Sequence, residues 1–210
     1  MTYDMKKVAG ALLLFGCVQF LLLLIMAEAL YPGYSVSKNY ISDLGVCPET
    51  AHIFNLSVFL LGVIAVICAY FVHRVYNFRL FSVFIVVMGI GAMSVGLFQE
   101  CESGHCDADP CGYASCKASC IDEITCIIHV IAALITFLFG GLSAIVSYKL
   151  LDPPFSYFSV LFGVLSIVAL FLLISGTHLG LGVGGMELMT VYPILLWGIG
   201  FGGYLMSSGK

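Results

Sequence analysis

The sequence predicts an all-α fold, a polytopic bundle of six transmembrane helices, and three observations support this class. The chain of 210 residues is 61% hydrophobic, with a mean hydropathy of +1.09. Only 10% of its residues are charged, whereas about a quarter are charged in soluble domains. The apolar residues form separate runs close to the ~20 residues that a helix needs to cross a bilayer. This composition excludes a soluble enzyme, a disordered chain and a nucleic-acid-binding protein.

The six predicted spans follow one another with polar breaks between them. They cover residues 8–30, 53–72, 80–98, 124–148, 157–175 and 188–206. Because lipid offers no partner to backbone N–H and C=O groups, each run must be a helix or part of a closed barrel. The chain lacks the alternating segments of about ten residues that are typical of a barrel. We therefore predict a single six-span membrane domain over residues 1–210, with a loop at 99–123 between spans three and four.

The charged residues predict how the spans are oriented. Six of the eight cations flank the spans on one side: Lys6, Lys7, Arg74, Arg79, Lys149 and Lys210. Ten of the twelve acids fall on the other side or just inside it. Since cytoplasmic loops carry the excess of Lys and Arg, we predict that both termini are cytoplasmic. The loop at 99–123 is then extracytoplasmic, and the protein is predicted to lie in the cell membrane.

Most of the cysteines belong to the predicted outer side. Seven of the nine are found there: Cys47, Cys101, Cys106, Cys111, Cys116, Cys120 and Cys126. A loop with no hydrophobic core of its own needs cross-links to hold a shape, so structural disulfides are predicted, with their connectivity open. A metal cluster fits less well because no pair has C-x-x-C spacing, and a redox-active pair remains an alternative. The other two cysteines, Cys17 and Cys68, are predicted to pack as small core residues.

Polar and ionisable residues gather in the outer third of the predicted bilayer. Such residues are costly in lipid, so each is a candidate for function. The candidates for an outer polar pocket are Glu28, Asp43, His52, Asn55, His129, His178 and Glu187. Carboxylates and imidazoles together can bind a polar head group, relay protons or hold a divalent metal, with His52, His129 and His178 as candidate ligands. The alternative is that several of them are simply hydrated at the interface.

Two glycine patterns favour structure over chemistry. Gly180, Gly182 and Gly185 match the letters of a dinucleotide-binding fingerprint, but they follow a membrane span and no strand. We expect them to form a tight turn at the interface. Gly198 and Gly202 have the spacing of a helix-packing motif and are predicted to pack within the bundle.

The loop after span one carries a more specific pattern. Residues 31–35 read Tyr-Pro-Gly-Tyr-Ser, and residues 39–45 read Asn-Tyr-Ile-Ser-Asp-Leu-Gly. This stretch resembles the signature of the uncharacterised membrane family known as domain of unknown function 998. The first-loop motif also gives a looser likeness to the Frag1/DRAM/Sfk1 membrane proteins.

Later features fit the same family. A histidine, His129, opens the fourth span, and a glycine-rich turn leads into Glu187 and then into the stretch Val-Tyr-Pro-Ile-Leu-Leu-Trp at 191–197. The resemblance implies six spans and a membrane location, but it implies no activity. It adds weight to Asp43, His129 and Glu187 as the residues most worth testing.

Three functional hypotheses follow from these patterns. The first is a protein that binds a lipid head group or another amphiphile in an outer polar pocket, with membrane lipids as partners. The second is a membrane-embedded, metal-dependent lipid hydrolase, in which a divalent metal lowers the pKa of a bound water. The third is a thiol–disulfide membrane oxidoreductase that uses the loop cysteines. No nucleic-acid partner is expected because the sequence has no basic patch, and the oligomeric state is left open.

Overall fold

The computed structural model of the chain describes residues 2–100 and 123–207, and these ranges contain helices and no strands. Six long helices follow one another: α1 (Thr2–Leu30), α2 (Ala51–Tyr76), α3 (Arg79–Leu97), α4 (Glu123–Val146), α5 (Phe155–Ile174) and α6 (Gly182–Ser207). Each is long and apolar enough to cross a membrane. The predicted all-helical, multi-pass membrane fold is thereby confirmed. Five of the predicted loop cysteines, from Cys101 to Cys120, lie outside the described residues.

Two short 3-10 helices interrupt the connections between the long ones, at Ser42–Gly45 and Ser147–Leu150. Several long helices also extend past the predicted apolar runs. For example, α2 continues through Arg74 to Tyr76, because helical backbone satisfies its own hydrogen bonds in head groups and water as well as in lipid. It ends where Asn77 adopts a left-handed conformation, with φ of 50°, and donates its N–H to the carbonyl oxygen of His73.

The helices form a closed ring in chain order. Each helix packs against its neighbours in sequence, and α6 returns to pack against α1. Glycines allow the closest approaches: a Cβ on Gly62 of α2 would lie 2.5 Å from the carbonyl oxygen of Gly89 in α3. Where the ring closes, a Cβ on Gly202 would lie 2.8 Å from the carbonyl oxygen of Gly10, so the predicted packing motif of α6 contacts α1 within one chain.

Cations collect at one end of this bundle, where α1 begins and α6 ends. The Lys6 ammonium lies 5.2 Å from the ring centre of Tyr76, and the Lys149 ammonium lies 5.8 Å from that of Phe78. We call this the basic end and the opposite one, which carries residues 31–50, the loop end. Among the described residues, most cations therefore lie at one end of the bundle, while the compartment that each end faces stays a prediction.

Candidate functional site

The connection between α1 and α2 is a compact polar turn built around Asp43. This carboxylate is only 8% exposed, and its Oδ2 accepts hydrogen bonds from the side-chain amide of Asn39 at 3.1 Å and the backbone N–H of Tyr40 at 3.0 Å. The Asn39 Oδ1 in turn accepts the N–H of Ser35 at 3.1 Å. Asn and Asp side chains often form hydrogen bonds with nearby backbone groups in turns. Here Asn39 and Asp43 stabilise the turn in the segment that carries the sequence motif.

Two further side chains fix the end of this turn to α2. Thr50, which is fully buried, donates its hydroxyl to the Leu44 carbonyl oxygen at 2.7 Å. Asn55, one turn into α2, donates its side-chain amide to the Gly45 carbonyl oxygen at 2.9 Å. Asn55 therefore contributes to the loop end by holding backbone rather than by lining an open pocket.

Glu187, near the start of α6, also contacts this turn. Its helix belongs to the place where the ring closes, because α6 packs against α1. Its side chain is 6% exposed, and Oε2 accepts the backbone N–H of Ile41 at 2.6 Å. Two residues earlier, the N–H of Gly185 donates to the Val36 carbonyl oxygen at 2.8 Å. Asp43 and Glu187 thus receive consecutive backbone N–H groups, and together they dock residues 35–43 onto the beginning of α6. We call this arrangement the loop latch.

Glycines make the loop latch possible. A Cβ on Gly184 would clash with the Asn39 carbonyl oxygen, and one on Gly182 would clash with the backbone of Ser37. Gly182 also has φ of +78°, a conformation that favours glycine. The glycine-rich turn therefore lets the first loop approach α6 closely, as the predicted tight turn requires, and it also starts the helix.

Tyr34 stands among the carboxylates of the loop end. Burial raises the pKa of its hydroxyl, and the negative charges of Glu28, Glu187 and Asp43 add to that effect. The Tyr34 hydroxyl oxygen and Oε1 of Glu28 are both buried and have no hydrogen-bond partner within the described residues. Unsatisfied buried polar atoms carry a cost, so these two atoms mark a place where a donor or a polar ligand would be stabilised.

Tyr40 extends this acidic surrounding toward the end of α3. Burial raises the pKa of its hydroxyl, and the charges of Glu100, Glu187 and Asp43 raise it further. Four carboxylates from separate parts of the sequence therefore act on one or both of these tyrosines: Glu28, Asp43, Glu100 and Glu187. The electrostatic field of this end favours a positive charge or a hydrogen-bond donor.

His129 fixes the end of α3 to α4. The ring is 3% exposed, and its Nδ1 lies 2.7 Å from the Phe98 carbonyl oxygen. A carbonyl oxygen can only accept, so Nδ1 carries the hydrogen. Phe98 directly follows the last residue of α3 and comes two residues before Glu100, which places this contact next to the acidic surrounding of Tyr40.

The other two histidines are placed differently. His52 is exposed at the start of α2, and His178 is half-buried in the turn before α6. In the part of the chain that the structure describes, neither ring forms a hydrogen bond with another side chain. No group of three or more His, Cys, Asp or Glu side chains is positioned to hold a metal within residues 2–100 and 123–207. The three candidate ligands His52, His129 and His178 are therefore not gathered into such a group there.

The cysteines within the bundle pack as predicted. Cys17 and Cys68 are the free cysteines of the described residues, and both are buried. Cys47, at 1% exposure in the first loop, and Cys126 in α4 are not among the free ones. The predicted disulfides of the outer side involve residues outside the described ranges, and they stay a prediction.

An apolar cavity of about 80 Å³ lies inside the ring, below the loop latch. Five of the six helices line it, with side chains that include Phe20, Val58, Ala92, Phe137 and Val191. Val191 follows Glu187 by one helical turn, and Val58 follows Asn55 by three residues, so the cavity begins about 5 Å along the helix axis below these polar groups.

The sequence comparison decides the family. Residues 14–203 match the model of a family described as a protein of unknown function, DUF998. The chain belongs to the DUF998 family. No curated protein and no solved structure matches it. The DUF998 match spans all seven predicted pocket residues, and the looser likeness to Frag1/DRAM/Sfk1 proteins stays a prediction.

Within this DUF998 chain the structure gathers some predicted residues and separates others. Glu28, Asp43 and Glu187 all act electrostatically on Tyr34. Within the described residues, His52 and His178 form no side-chain hydrogen bond with that group. Sequence reasoning missed Tyr34 and Tyr40, because tyrosines near a membrane surface usually indicate interfacial anchoring. The signal that was present is their position: both lie in the loop motif, next to the acids.

Proposed function

We propose that this protein binds an amphiphile, with its polar head among the carboxylates and tyrosines of the loop end. The apolar part of the ligand would enter the cavity inside the helix ring. The observation that carries the proposal is the position of an apolar cavity one helical turn below Glu187 and the loop latch. Apolar cavities stay dry and bind apolar molecules. A ligand with a polar head and an apolar part therefore matches the polar loop end and the apolar cavity below it.

The chemistry of the polar layer indicates what kind of head group it favours. Glu28 and Tyr34 each present a buried oxygen without a hydrogen-bond partner in the described residues. The charges of Glu28, Asp43 and Glu187 all act on Tyr34. An ammonium group or another strong hydrogen-bond donor would satisfy these oxygens, whereas a phosphate alone would be repelled. The proposed ligand is therefore an amphiphile with an amine-bearing head group.

The membrane arrangement belongs to the same proposal. The excess of Lys and Arg at the basic end supports a cytoplasmic location for that end and for both termini. The loop end then faces the extracytoplasmic side of the cell membrane. The cysteine-rich loop at 99–123 would cover the site as a lid that disulfides hold in shape.

The hydrolase and oxidoreductase hypotheses have less support. A hydrolase of the predicted type needs two or three of His52, His129 and His178 together with Asp43 or Glu187. The described residues form no such metal-binding group. The loop cysteines that an oxidoreductase would use fall on residues that the structure does not describe. The free cysteines that it does describe, Cys17 and Cys68, are buried inside the bundle.

Analysis of co-purified lipids tests the proposal. The protein is purified in detergent, and the amphiphiles that stay bound are extracted, identified and counted per chain by mass spectrometry. Ala92→Leu places extra carbon atoms in the cavity, and Leu56→Phe makes a similar addition on a lipid-exposed surface. We expect wild type and Leu56→Phe to retain one amine-bearing amphiphile per chain, and Ala92→Leu to retain about tenfold less, as a loss of ~1.4 kcal/mol would give.

A second pair of variants tests the polar layer. Glu187→Gln replaces a buried carboxyl group of the site by an amide, and Glu49→Gln makes the same change at an exposed position of the same loop. Retention should fall in Glu187→Gln and stay unchanged in Glu49→Gln. If wild type carries no amphiphile, or if all four variants carry as much of it as wild type, the proposed function is wrong.

A further inference from the structure

An open groove lies on the outside of the ring at the basic end, away from the loop latch. The facing sides of α2 and α3 leave an open groove of about 440 Å³. Its apolar walls are formed by Val66, Ala69 and Tyr70 of α2 and by Val83, Val86 and Val87 of α3. On each helix these positions follow the i, i+3, i+4 spacing, so each contributes one continuous apolar face about 6 Å long.

The groove is polar at only one of its ends. His73, Arg79 and Ser82 complete its lining there. The Ser82 hydroxyl donates to the Phe78 carbonyl oxygen at 3.0 Å and lies 3.3 Å from Nδ1 of His73. Because the only hydroxyl hydrogen is already donated, Nδ1 of His73 must be the donor to Ser82. This contact holds the imidazole at the mouth of the groove.

Arg79 is the charged group of this groove. It is exposed and forms no ion pair or hydrogen bond with the other described residues, while the nearby Lys6 and Lys149 lie over aromatic rings. Asp152, an acid of this end, accepts the hydroxyl of Tyr204 at 2.7 Å. Arg79 is also the first residue of α3, so the unpaired N–H groups of that helix end add to the positive potential.

We infer that this groove binds an anionic phospholipid, with one acyl chain between α2 and α3 and the phosphate on Arg79. The walls of the groove are apolar and face the bilayer, where the acyl chains of lipids are the neighbouring molecules. Guanidinium groups bind phosphate through paired hydrogen bonds. Because the Arg79 side chain, unpaired among the described residues, lies at the end of an apolar groove, a molecule that carries both a phosphate and an acyl chain should bind better than a phosphate or an acyl chain alone.

Lipid titration followed by native mass spectrometry tests this inference. The protein is held in a neutral detergent, which removes the surface potential of a bilayer, and phosphatidylglycerol or phosphatidylcholine is added. Arg79→Gln removes the groove charge, whereas Arg74→Gln removes an exposed charge at the same end that does not line the groove. We expect about fivefold weaker phosphatidylglycerol binding in Arg79→Gln, the usual effect of one basic residue, and no change in Arg74→Gln.

The apolar part is tested by filling the groove. Val83→Trp adds bulk to its wall, and Ile67→Trp adds a similar bulk to an exposed position of α2 outside it. Of these two variants, only Val83→Trp should weaken phosphatidylglycerol binding. Arg79→Lys keeps the positive charge, so it should bind phosphatidylglycerol more tightly than Arg79→Gln does. Thermal unfolding confirms that each variant is folded.

Several results would overturn the inference. One is equal binding of the two lipids by wild type. Another is an equal loss in Arg74→Gln and Arg79→Gln, which indicates unspecific attraction. Unchanged binding in Val83→Trp, or competition by inorganic phosphate at the same concentration, indicates that only a head-group anion is bound.

Discussion

The two ends of the helix ring hold their polar groups in opposite ways. At the loop end, Asp43, Glu187 and His129 are all less than 10% exposed, and each bonds to backbone from another part of the chain or from its own turn. At the basic end, Arg74, Arg79 and Lys149 are exposed, and the contact of Lys149 is with an aromatic face. The polar residues named at the loop end therefore bond within the protein, whereas those named at the basic end are exposed at its surface.

This difference indicates where function and stability are coupled. A buried carboxylate that receives a backbone N–H cannot be removed without leaving the donor unsatisfied, at a cost of about 1–3 kcal/mol. An exposed cation over an aromatic ring contributes only about 0.5–1 kcal/mol. Substitutions at the loop end should thus destabilise the fold as they impair binding, whereas those at the basic end should change lipid contacts alone.

Asp43→Ala should have the largest effect on the free energy of unfolding. It removes two charge-assisted hydrogen bonds, to Asn39 and to the N–H of Tyr40, for an expected loss of about 3 kcal/mol. Thermal unfolding in detergent measures the loss, and Asp43→Asn should recover part of it because an acceptor oxygen remains. The comparison predicts less than about 1 kcal/mol for Lys149→Ala at the basic end. Equal losses at the two ends would contradict it.

Gly184→Ala should rank second, with a loss of about 2 kcal/mol. The added methyl group meets the Asn39 carbonyl oxygen, so the loop or the start of α6 must move. Gly203→Ala is the matched control in the same helix, because a Cβ there has nothing within 4 Å. Alanine is the better helix former, so this control should be stabilising by up to ~1 kcal/mol. Destabilisation of the same size in both variants would show that the close approach is not what matters.

His129→Ala should cost about 1–2 kcal/mol in the same unfolding measurement. The change leaves the Phe98 carbonyl oxygen without the donor that now lies at 2.7 Å and opens a small gap between α3 and α4. His52→Ala is the control, since an exposed side chain should change the free energy of unfolding by less than about 0.5 kcal/mol. A loss confined to lipid retention, with stability unchanged, would instead give His129 a direct role in ligand binding.

Hydropathy predicts the spans well because lipid excludes unsatisfied backbone, whatever the tertiary structure. The helix bounds agree with the predicted ones to within a few residues for four spans. The exceptions are α1, which begins at Thr2 before the apolar run, and α6, which begins at Gly182 rather than 188. From the sequence alone, a run of glycines indicates a turn. Here Gly182, Gly184 and Gly185 form the start of α6, and the first loop packs onto them.

The candidate site is harder to predict because it depends on ring closure. Asp43 and Glu187 are 144 positions apart, and only the return of α6 to α1 brings them to neighbouring N–H groups. Hydropathy does not determine helix order around a ring. The one-sided distribution of polar residues predicted a common end for Glu28, Asp43 and Glu187, but it could not separate them from His52, which is exposed.

The smallest predicted effect concerns alkaline pH and Tyr34. Burial and the carboxylates around it raise the pKa of this hydroxyl above its usual value of about 10, so the folded protein keeps the proton longer than the unfolded chain. Stability should therefore fall as the pH rises above about 10, by up to ~1.4 kcal/mol per pH unit for this group. Tyr34→Phe cannot titrate, so its unfolding temperature should fall less steeply between pH 10 and 11, with parallel curves between pH 6 and 8. Parallel curves over the whole range would mean that neither burial nor the acids of the loop end raise the pKa of Tyr34, and the proposed preference for an amine-bearing head group would lose its electrostatic basis.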